Sequence, residues 1–355
     1  MKETPMEFPQ TLHDAINYFS TGDNALNFVV SLRWPAGVVC PRCGSKEVRF
    51  LKSRKIWECS ECESLRQFSA KVGTVMEDSP IKLDKWMSAF WLIANAKNGI
   101  SSYELHRSIG VTQKSAWFML HRIRLAMQEG GSIVKMKGRV EADESFIGGL
   151  ARNMHRERRE KVKKLTTGET RRTARGSVGK TAVMGLLERN SPEKPSRVRC
   201  KVVQSVRRHD LDTQVRQHVE KGSEVYTDQL RSYSKLQDEY VHKVIDHAEC
   251  YAKGHVHTNG LENFWSLLKR GIKGTYVSVE PFHLFRYLDE QAFRFNERKD
   301  NDAGRFIKVV AGIVGKGLRY ASLTGKTGGD GLPQTSESWF TQTWLKNQFG
   351  FESDL

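Results

Sequence analysis

Four cysteines and three acids carry the chemistry that this sequence makes legible. Cys40 and Cys43, then Cys59 and Cys62 after fifteen intervening residues, form the C-x2-C…C-x2-C spacing in which two knuckles set four thiolates tetrahedrally around one structural Zn²⁺. Gly44 follows the second cysteine, where each knuckle needs a tight turn that aims backbone N–H groups at sulfur. Cys200 and Cys250 stand apart and read as small buried hydrophobes, so six cysteines in this pattern are not a disulfide framework.

The acids are spread more widely. Asp143 lies in the middle of a strand-like run at 139–146, where an acid is costly unless a cation or catalysis requires it. Alternation puts Glu141 and Asp143 on one face of that strand and Ala142 and Glu144 on the other. Asp228 ends a short strand beginning at Glu224. Glu262 sits beside the Leu261, Trp265, Leu268 stripe of an amphipathic helix over 259–270, and Lys269, two turns on, can point at the same place. Asp228 and Glu262 are 34 residues apart, enough for strand, loop and returning helix. Three hard oxygen ligands then converge from two strands and a helix, a donor set suited to Mg²⁺ or Mn²⁺.

The elements that must position these groups follow from the hydrophobic periods. Apolar residues Phe8, Leu12, Ile16, Phe19, Leu26 and Phe28 predict one or two short helices ahead of the cysteine module. Ribbon residues Arg42, Lys46, Arg49, Lys52, Arg54 and Lys55 tilt that module toward DNA. From Leu83 to about Met127 the period is helical. Ser101 with Glu104 makes a capping box, Gly110 a turn, and Thr112 a second cap, which together read as a helix-turn-helix. Gln113, Lys114 and Ser115 would meet base edges, Trp117, Leu120 and Ile123 the core, and His121, Arg122 and Arg124 would extend the basic character. Two amphipathic helices that merely pack remain the alternative.

Short β-branched runs at 139–146, 180–187 and 198–206, a helix at 211–220, a strand at 224–226 and helices at 259–270 and 281–298 give the order β-β-β-α-β-α…α. In the last helix Leu284, Leu288 and Phe293 should face inward and Arg286, Arg294 and Arg298 outward. Residues 152–175 are too basic and too poor in large apolar side chains to pack, so Arg158, Arg159, Lys163, Arg171 and Arg172 form a loop suited to phosphates.

A formal charge of +16, from 57 Lys and Arg against 41 Asp and Glu, favours a polyanionic partner, nucleic acid ahead of a membrane surface. The longest apolar run, 86–96, is too short to span a bilayer, and no segment reads as a signal peptide. A cytoplasmic, nucleoid-associated protein of bacterial type is expected, with no membrane partner and no small-molecule substrate.

The stretches Val140-Glu141-Ala142-Asp143-Glu144, Tyr226-Thr227-Asp228 and His257-Thr258-Asn259-Gly260-Leu261-Glu262-Asn263-Phe264-Trp265-Ser266-Leu267-Leu268-Lys269-Arg270 resemble signatures of the Merlin-like DDE transposases of bacterial insertion sequences. Arg33-Trp34-Pro35, the ribbon, Phe68-Ser69, Gly73-Thr74 and the segment from Ser79 to Trp86 resemble the zinc-ribbon domain of the same family, so the likeness spans roughly residues 20 to 325. The resemblance implies a multidomain α+β protein: an N-terminal helical segment (1–34), a zinc ribbon (35–78), a helix-turn-helix (79–131), a ribonuclease-H-like α/β catalytic domain with a mixed sheet (137–300) and a C-terminal extension (301–355). It implies Asp143, Asp228 and Glu262 as ligands of two Mg²⁺ or Mn²⁺ ions about 4 Å apart, with Lys269 as the basic residue behind the Glu. Asn259, one turn earlier, is the alternative third ligand, although a carboxylate neutralises Mg²⁺ better than an amide. His257, Asn259 and Arg270 would join Lys269 in touching double-stranded DNA. The implied activity is cleavage of 3′ ends at terminal inverted repeats and their transfer into target DNA by a dimer or larger assembly. A DNA-binding regulator with an inactive catalytic domain, and a structure-specific nuclease that never joins ends, are the competing readings.

Overall fold

The computed structural model describes residues 8–129, 134–148, 180–192, 194–203, 206–228, 239–245 and 257–324. In chain order the first elements are α1 (Leu12–Ser20), α2 (Asn24–Arg33), β1 (Val48–Leu51), β2 (Ile56–Cys59), β3 (Gln67–Phe68), α3 (Leu83–Asn95), α4 (Ser102–Ile109) and α5 (Gln113–Met127). They are followed by β4 (Arg139–Ile147), β5 (Thr181–Glu188), β6 (Arg197–Val203), α6 (Arg208–His218), β7 (Glu224–Asp228), β8 (Val241–Ile245) and α7 (Asn259–Gly271). A π-turn (Ile272–Tyr276) and a 3₁₀ turn (Pro281–His283) lead to α8 (Leu284–Asn296), and α9 (Asp302–Ala311) and α10 (Tyr320–Leu323) close the described chain. None of the described helices is long and apolar enough to cross a membrane.

The chain divides into two compact units, 1–132 with 299–355, and 133–298. In the first, β1, β2 and β3 form the antiparallel ribbon, with Phe50 opposite Trp57 and Trp57 opposite Phe68. Apolar faces of α2 and α3 supply Phe28, Val29, Trp86, Phe90 and Trp91 to the core. The periods read from sequence do not extend past 298, yet α9 belongs to this core: Phe306 is fully buried, its ring 5.6 Å from Phe28 and 5.1 Å from Trp91. Residues separated by nearly the whole chain therefore share one hydrophobic nucleus.

The second unit is a five-stranded mixed sheet of order β6-β5-β4-β7-β8. β4, β5 and β6 are antiparallel, whereas β7 pairs parallel with β4 and β8 parallel with β7. This order, third-second-first-fourth-fifth along the unit, is ribonuclease-H-like. One face, with Val140, Ala142, Met184, Leu186 and Val225, packs against Leu211 and Val215 of α6. The other carries Val183 and Leu187 against Leu261, Phe264, Trp265 and Leu268 of α7 and Leu284, Leu288 and Phe295 of α8. Side-chain alternation along β4 and β5 thus assigns Glu141 and Asp143 to the α7 face. At the β6 edge the Asn296 amide substitutes for a strand, accepting from Val198 N–H at 2.8 Å and donating to Val198 C=O at 3.1 Å.

Two features depart from the sequence expectation. β8 is an edge strand whose exposed valines, 241 and 244, are three apart and so break the period of two that reveals a half-buried strand. In α8, Arg286 and Arg294 face inward, not outward, and Phe293 is only half-buried. Arg294 is tolerated there because its guanidinium meets the buried Glu290 carboxylate one turn earlier and Gln291 Oε1 at 2.8 Å, while Arg286 faces Asp289 at 3.5 Å.

Candidate active site and metal centre

The ribbon brings its four cysteines together. Their sulfurs all lie within 4.8 Å of one another, with Cys40–Cys62 at 3.7 Å, Cys43–Cys59 at 3.6 Å and Cys43–Cys62 at 3.5 Å. Four sulfurs at about 2.3 Å from a tetrahedral Zn²⁺ stand roughly 3.8 Å apart, so the donors fit that ion. Gly44 holds φ +77° in the first knuckle, the left-handed conformation the turn needs. Burial opposes ionisation of Cys40, but the backbone N–H groups of Cys43 and Arg42 outweigh it and bring its pKa down to about 7. The Cys62 thiol is pushed up to about 12, first by its hydrogen bond with Cys43 and then by burial. Four of the six ribbon cations already have partners: Arg42 on the Gln67 carbonyl, Arg49 on Glu58, Arg54 on the Gln67 side chain and Lys55 on Asp23.

The helix-turn-helix is capped as the sequence predicts. Ser101 Oγ accepts from Glu104 N–H at 3.2 Å while Glu104 accepts from Ser101 N–H at 2.8 Å, Gly110 ends α4 at φ +62°, and Thr112 Oγ1 accepts from Ser115 N–H at 3.1 Å. Lys114 is exposed, its ammonium 4.8 Å above the Tyr320 ring, and half-buried Gln113 donates to Ser102 Oγ at 2.8 Å. Leu120 and Ile123 are core, but Trp117 is only half-buried. Arg122, expected at the DNA surface, is instead buried with His121 and Arg124. Its guanidinium donates to the Leu318 and Glu77 carbonyls, 3.1 and 2.6 Å away, and stacks 4.2 Å over Phe118, so it fastens this core internally.

Around the acids, β4 is central. Asp143 is half-buried; its Oδ2 accepts from the Trp265 indole N–H at 3.0 Å and its Oδ1 from Glu144 N–H at 2.8 Å. Trp265 can lie this close because Gly185 stands opposite Asp143 in the β4–β5 register, where a Cβ would fall 2.7 Å from the indole. The parallel register runs Arg139 to Glu224, Val140 to Val225 and Glu141 to Tyr226, and each strand continues beyond it through an acid two residues on, Asp143 in β4 and Asp228 at the end of β7. Glu262 is exposed on the first turn of α7, one turn before Trp265, and Lys269 and Arg270 are exposed near its other end. Asn259, the alternative ligand, is exposed at the first position of α7.

Sequence reasoning placed Glu141 on the right face but gave it no task. It is 1% exposed and accepts from Arg189 Nε at 2.7 Å and from Leu261 N–H at 3.0 Å. Gly260 makes that approach possible, since a Cβ there would fall 2.8 Å from the carboxylate. Arg189 also donates to the His257 carbonyl, reaches His257 Nδ1 at 2.8 Å and stacks 4.5 Å over the Tyr226 ring. One ion pair thus ties β4, the end of β5, β7 and the start of α7, with a carboxylate at a helix N-terminus, where the helix dipole favours it. Burial first, then its hydrogen bond to Glu224, raises the Tyr226 pKa, which keeps that phenol neutral and structural. The signal that could have exposed this anchor is the Gly-Leu pair opening α7. His257 is accordingly half-buried and held by Arg189, while Arg158, Arg159, Lys163, Arg171 and Arg172 lie outside the described residues.

Comparison with known proteins agrees with this anatomy. The ISXO2-like transposase domain matches residues 135–296, and the transposase zinc-ribbon domain matches residues 20–64. An uncharacterized protein in transposable element ISH50 of Halobacterium salinarum is 26% identical over 270 residues, 72% of this chain and 84% of that protein. An uncharacterized transposase-like protein of Haemophilus influenzae is 36% identical over 104 residues, 28% of this chain and 84% of its own length. The ribbon and the acid-bearing sheet are each accounted for by a domain named for transposases, in one polypeptide, and the chain belongs to the DDE transposases of insertion sequences.

Proposed function

We propose that this transposase binds the terminal inverted repeats of its own element, cuts their 3′ ends and joins them to target DNA, with Asp143, Asp228 and Glu262 holding two Mg²⁺ or Mn²⁺ ions. The observation that supports the reading is the parallel β4–β7 pairing, beyond whose last step Asp143 and Asp228 each lie two residues on, together with the Trp265 indole of α7 that donates to Asp143. The donors are all carboxylate oxygens, the set hard divalent cations prefer. Cations bound there would supply charge neutralisation at the scissile phosphate and a more acidic water.

The chain's own residues do the rest. The Trp265 and Glu144 N–H groups, one on each oxygen, fix the plane of the Asp143 carboxylate. Lys269, a point charge on the same helix as Glu262, holds a phosphate oxygen. In the first step a water oxygen bonds to phosphorus, the P–O3′ bond breaks and the 3′ oxygen leaves as a hydroxyl. In the second that hydroxyl attacks a target phosphate and displaces the target 3′ oxygen, so bonds are exchanged without a covalent protein intermediate. The second and third residues of the recognition helix, Lys114 and Ser115, with Gln113, read the repeat. Two ends must be cut together, so the working form is at least a dimer.

The test is cleavage of a terminal-repeat duplex in Mg²⁺ or Mn²⁺ by the wild-type protein and by Asp228→Asn. Loss of cleavage and joining with unchanged duplex affinity is expected. Equal activity in the variant rejects the metal-site assignment, and binding without cleavage by the wild type favours a DNA-binding regulator.

A further inference from the structure

We infer that Val277 is an apolar wedge that enters the base stack of the DNA end lying along α7, an inference that rests on the proposed DNA-processing role. Val277 is 79% exposed, the most exposed large apolar side chain among the described residues. Its backbone sits at φ +60°, ψ −54°, and Ser278 N–H donates to the Tyr276 carbonyl across it at 2.6 Å. That is a γ-turn with positive φ, a rare and strained form, and least suited of all to a β-branched residue. A side chain in open solvent gives nothing back to the fold for this conformation. The conformation persists because its surroundings impose it.

The bracing is visible. The Tyr276 hydroxyl donates to the fully buried Glu290 carboxylate, which also receives Arg294, and the Tyr276 ring meets the Tyr287 ring at 4.7 Å. On the other side the π-turn continues α7 without a break, so the tip is rigidly referenced to the helix that bears Glu262. The occupant follows from charge. Lys269, Arg270 and Lys273 are exposed along the same stretch, and between residues 263 and 279 there is no acid. One aliphatic tip beside a row of cations is far too small for a protein interface, but it matches a phosphate backbone with a base step beneath it, the arrangement in which apolar side chains unstack and kink a duplex. Val277 lies fifteen positions after Glu262, roughly 20 Å along the helix, which corresponds to about six base pairs from the scissile phosphate.

The experiment compares the full-length protein with Val277→Gly on terminal-repeat duplexes carrying 2-aminopurine at successive positions. Wild-type binding should raise the fluorescence of a probe about five to eight base pairs from the cut, and the variant should lose that rise, bind several-fold more weakly and keep an unchanged or higher Tm because glycine accepts the turn. A variant with wild-type affinity and fluorescence overturns the wedge, as does one whose only defect is a change in oligomeric state, which would mark a contact between copies. Wild-type cleavage with no fluorescence rise at any position also overturns it while leaving the proposed function intact. Val277→Leu, which keeps the apolar tip, should retain the rise if it folds.

Discussion

At the scale of single residues, the site depends on what is absent as much as on the acids. Gly185 has no side chain, and that vacancy seats Trp265 and lets its N–H reach Asp143. Gly185→Ala should therefore destabilise by about 1–3 kcal/mol, the usual cost of overpacking, and slow cleavage by turning the Asp143 carboxylate. Denaturant unfolding and single-turnover cleavage would test this, and wild-type values in both would show that the indole has room to shift. His218 and His242 offer a second check. Burial lowers both pKa values, so the unfolded chain takes up protons before the folded one does. Their contribution is intact above about pH 6.5, the ordinary histidine value, and declines as pH falls below it. Unfolding midpoints at pH 7.5 and 5.5 should show a loss at the lower pH that is smaller in His242→Gln. Residue identity alone misleads where a charge is buried: Arg122, Arg286 and Arg294 look like surface cations in sequence, and what makes their burial tolerable is a pair of carbonyls from distant residues for Arg122 and a carboxylate about one turn away for Arg286 and Arg294.

At the scale of elements, the joint between β4 and α7 is the decisive one. Glu141 and Arg189 form a buried pair whose removal on one side leaves an uncompensated charge. Arg189→Met should cost about 3–5 kcal/mol and weaken cleavage with it, whereas adding Glu141→Gln should recover a substantial part of the stability. A double-mutant cycle by denaturant titration measures this; no recovery in the double variant would mean that the pair does not act as a unit. Elements with strong local signals were legible: β4, β5 and β6 as β-branched runs, α4 and α5 by their caps, α7 by its stripe. β8 was not, because an edge strand packed on neither face in alternation has no period to read. The role of Glu141 was hidden for a different reason. Two acids on one strand face look alike until the helix above them selects one as its anchor and leaves the other half-buried.

At the scale of the molecule, the described chain is two units, one of which is interrupted by the other. Residues 302–311 of the extension read from sequence belong to the N-terminal core, where Phe306 stacks on Phe28, a contact that no linear reading shows. A stop after Arg298 should then leave the sheet unit folded and expose Phe28, Trp91 and their neighbours. Limited proteolysis should cut the truncated protein at sites within its first 130 or so residues that the full-length protein protects, and should leave the cutting of 133–298 unchanged. Equal resistance of the N-terminal segment in both proteins would show that α9 is dispensable to that core. Chelation of zinc attacks the same unit from another side, and its loss should abolish ribbon order without unfolding the sheet.

The position of α9 also sets a timetable. A ribosome finishes the cysteine knuckles and recognition helix first, then makes some 170 further residues before the helix that seals them, a wait of roughly 10–30 s at ordinary rates of synthesis. During that interval the nascent sheet can complete its own fold while the unit that holds the ribbon stays open. On the proposed function, competence to find DNA would arrive last, and a chain whose translation stops early would carry the sheet unit without a finished DNA-reading unit.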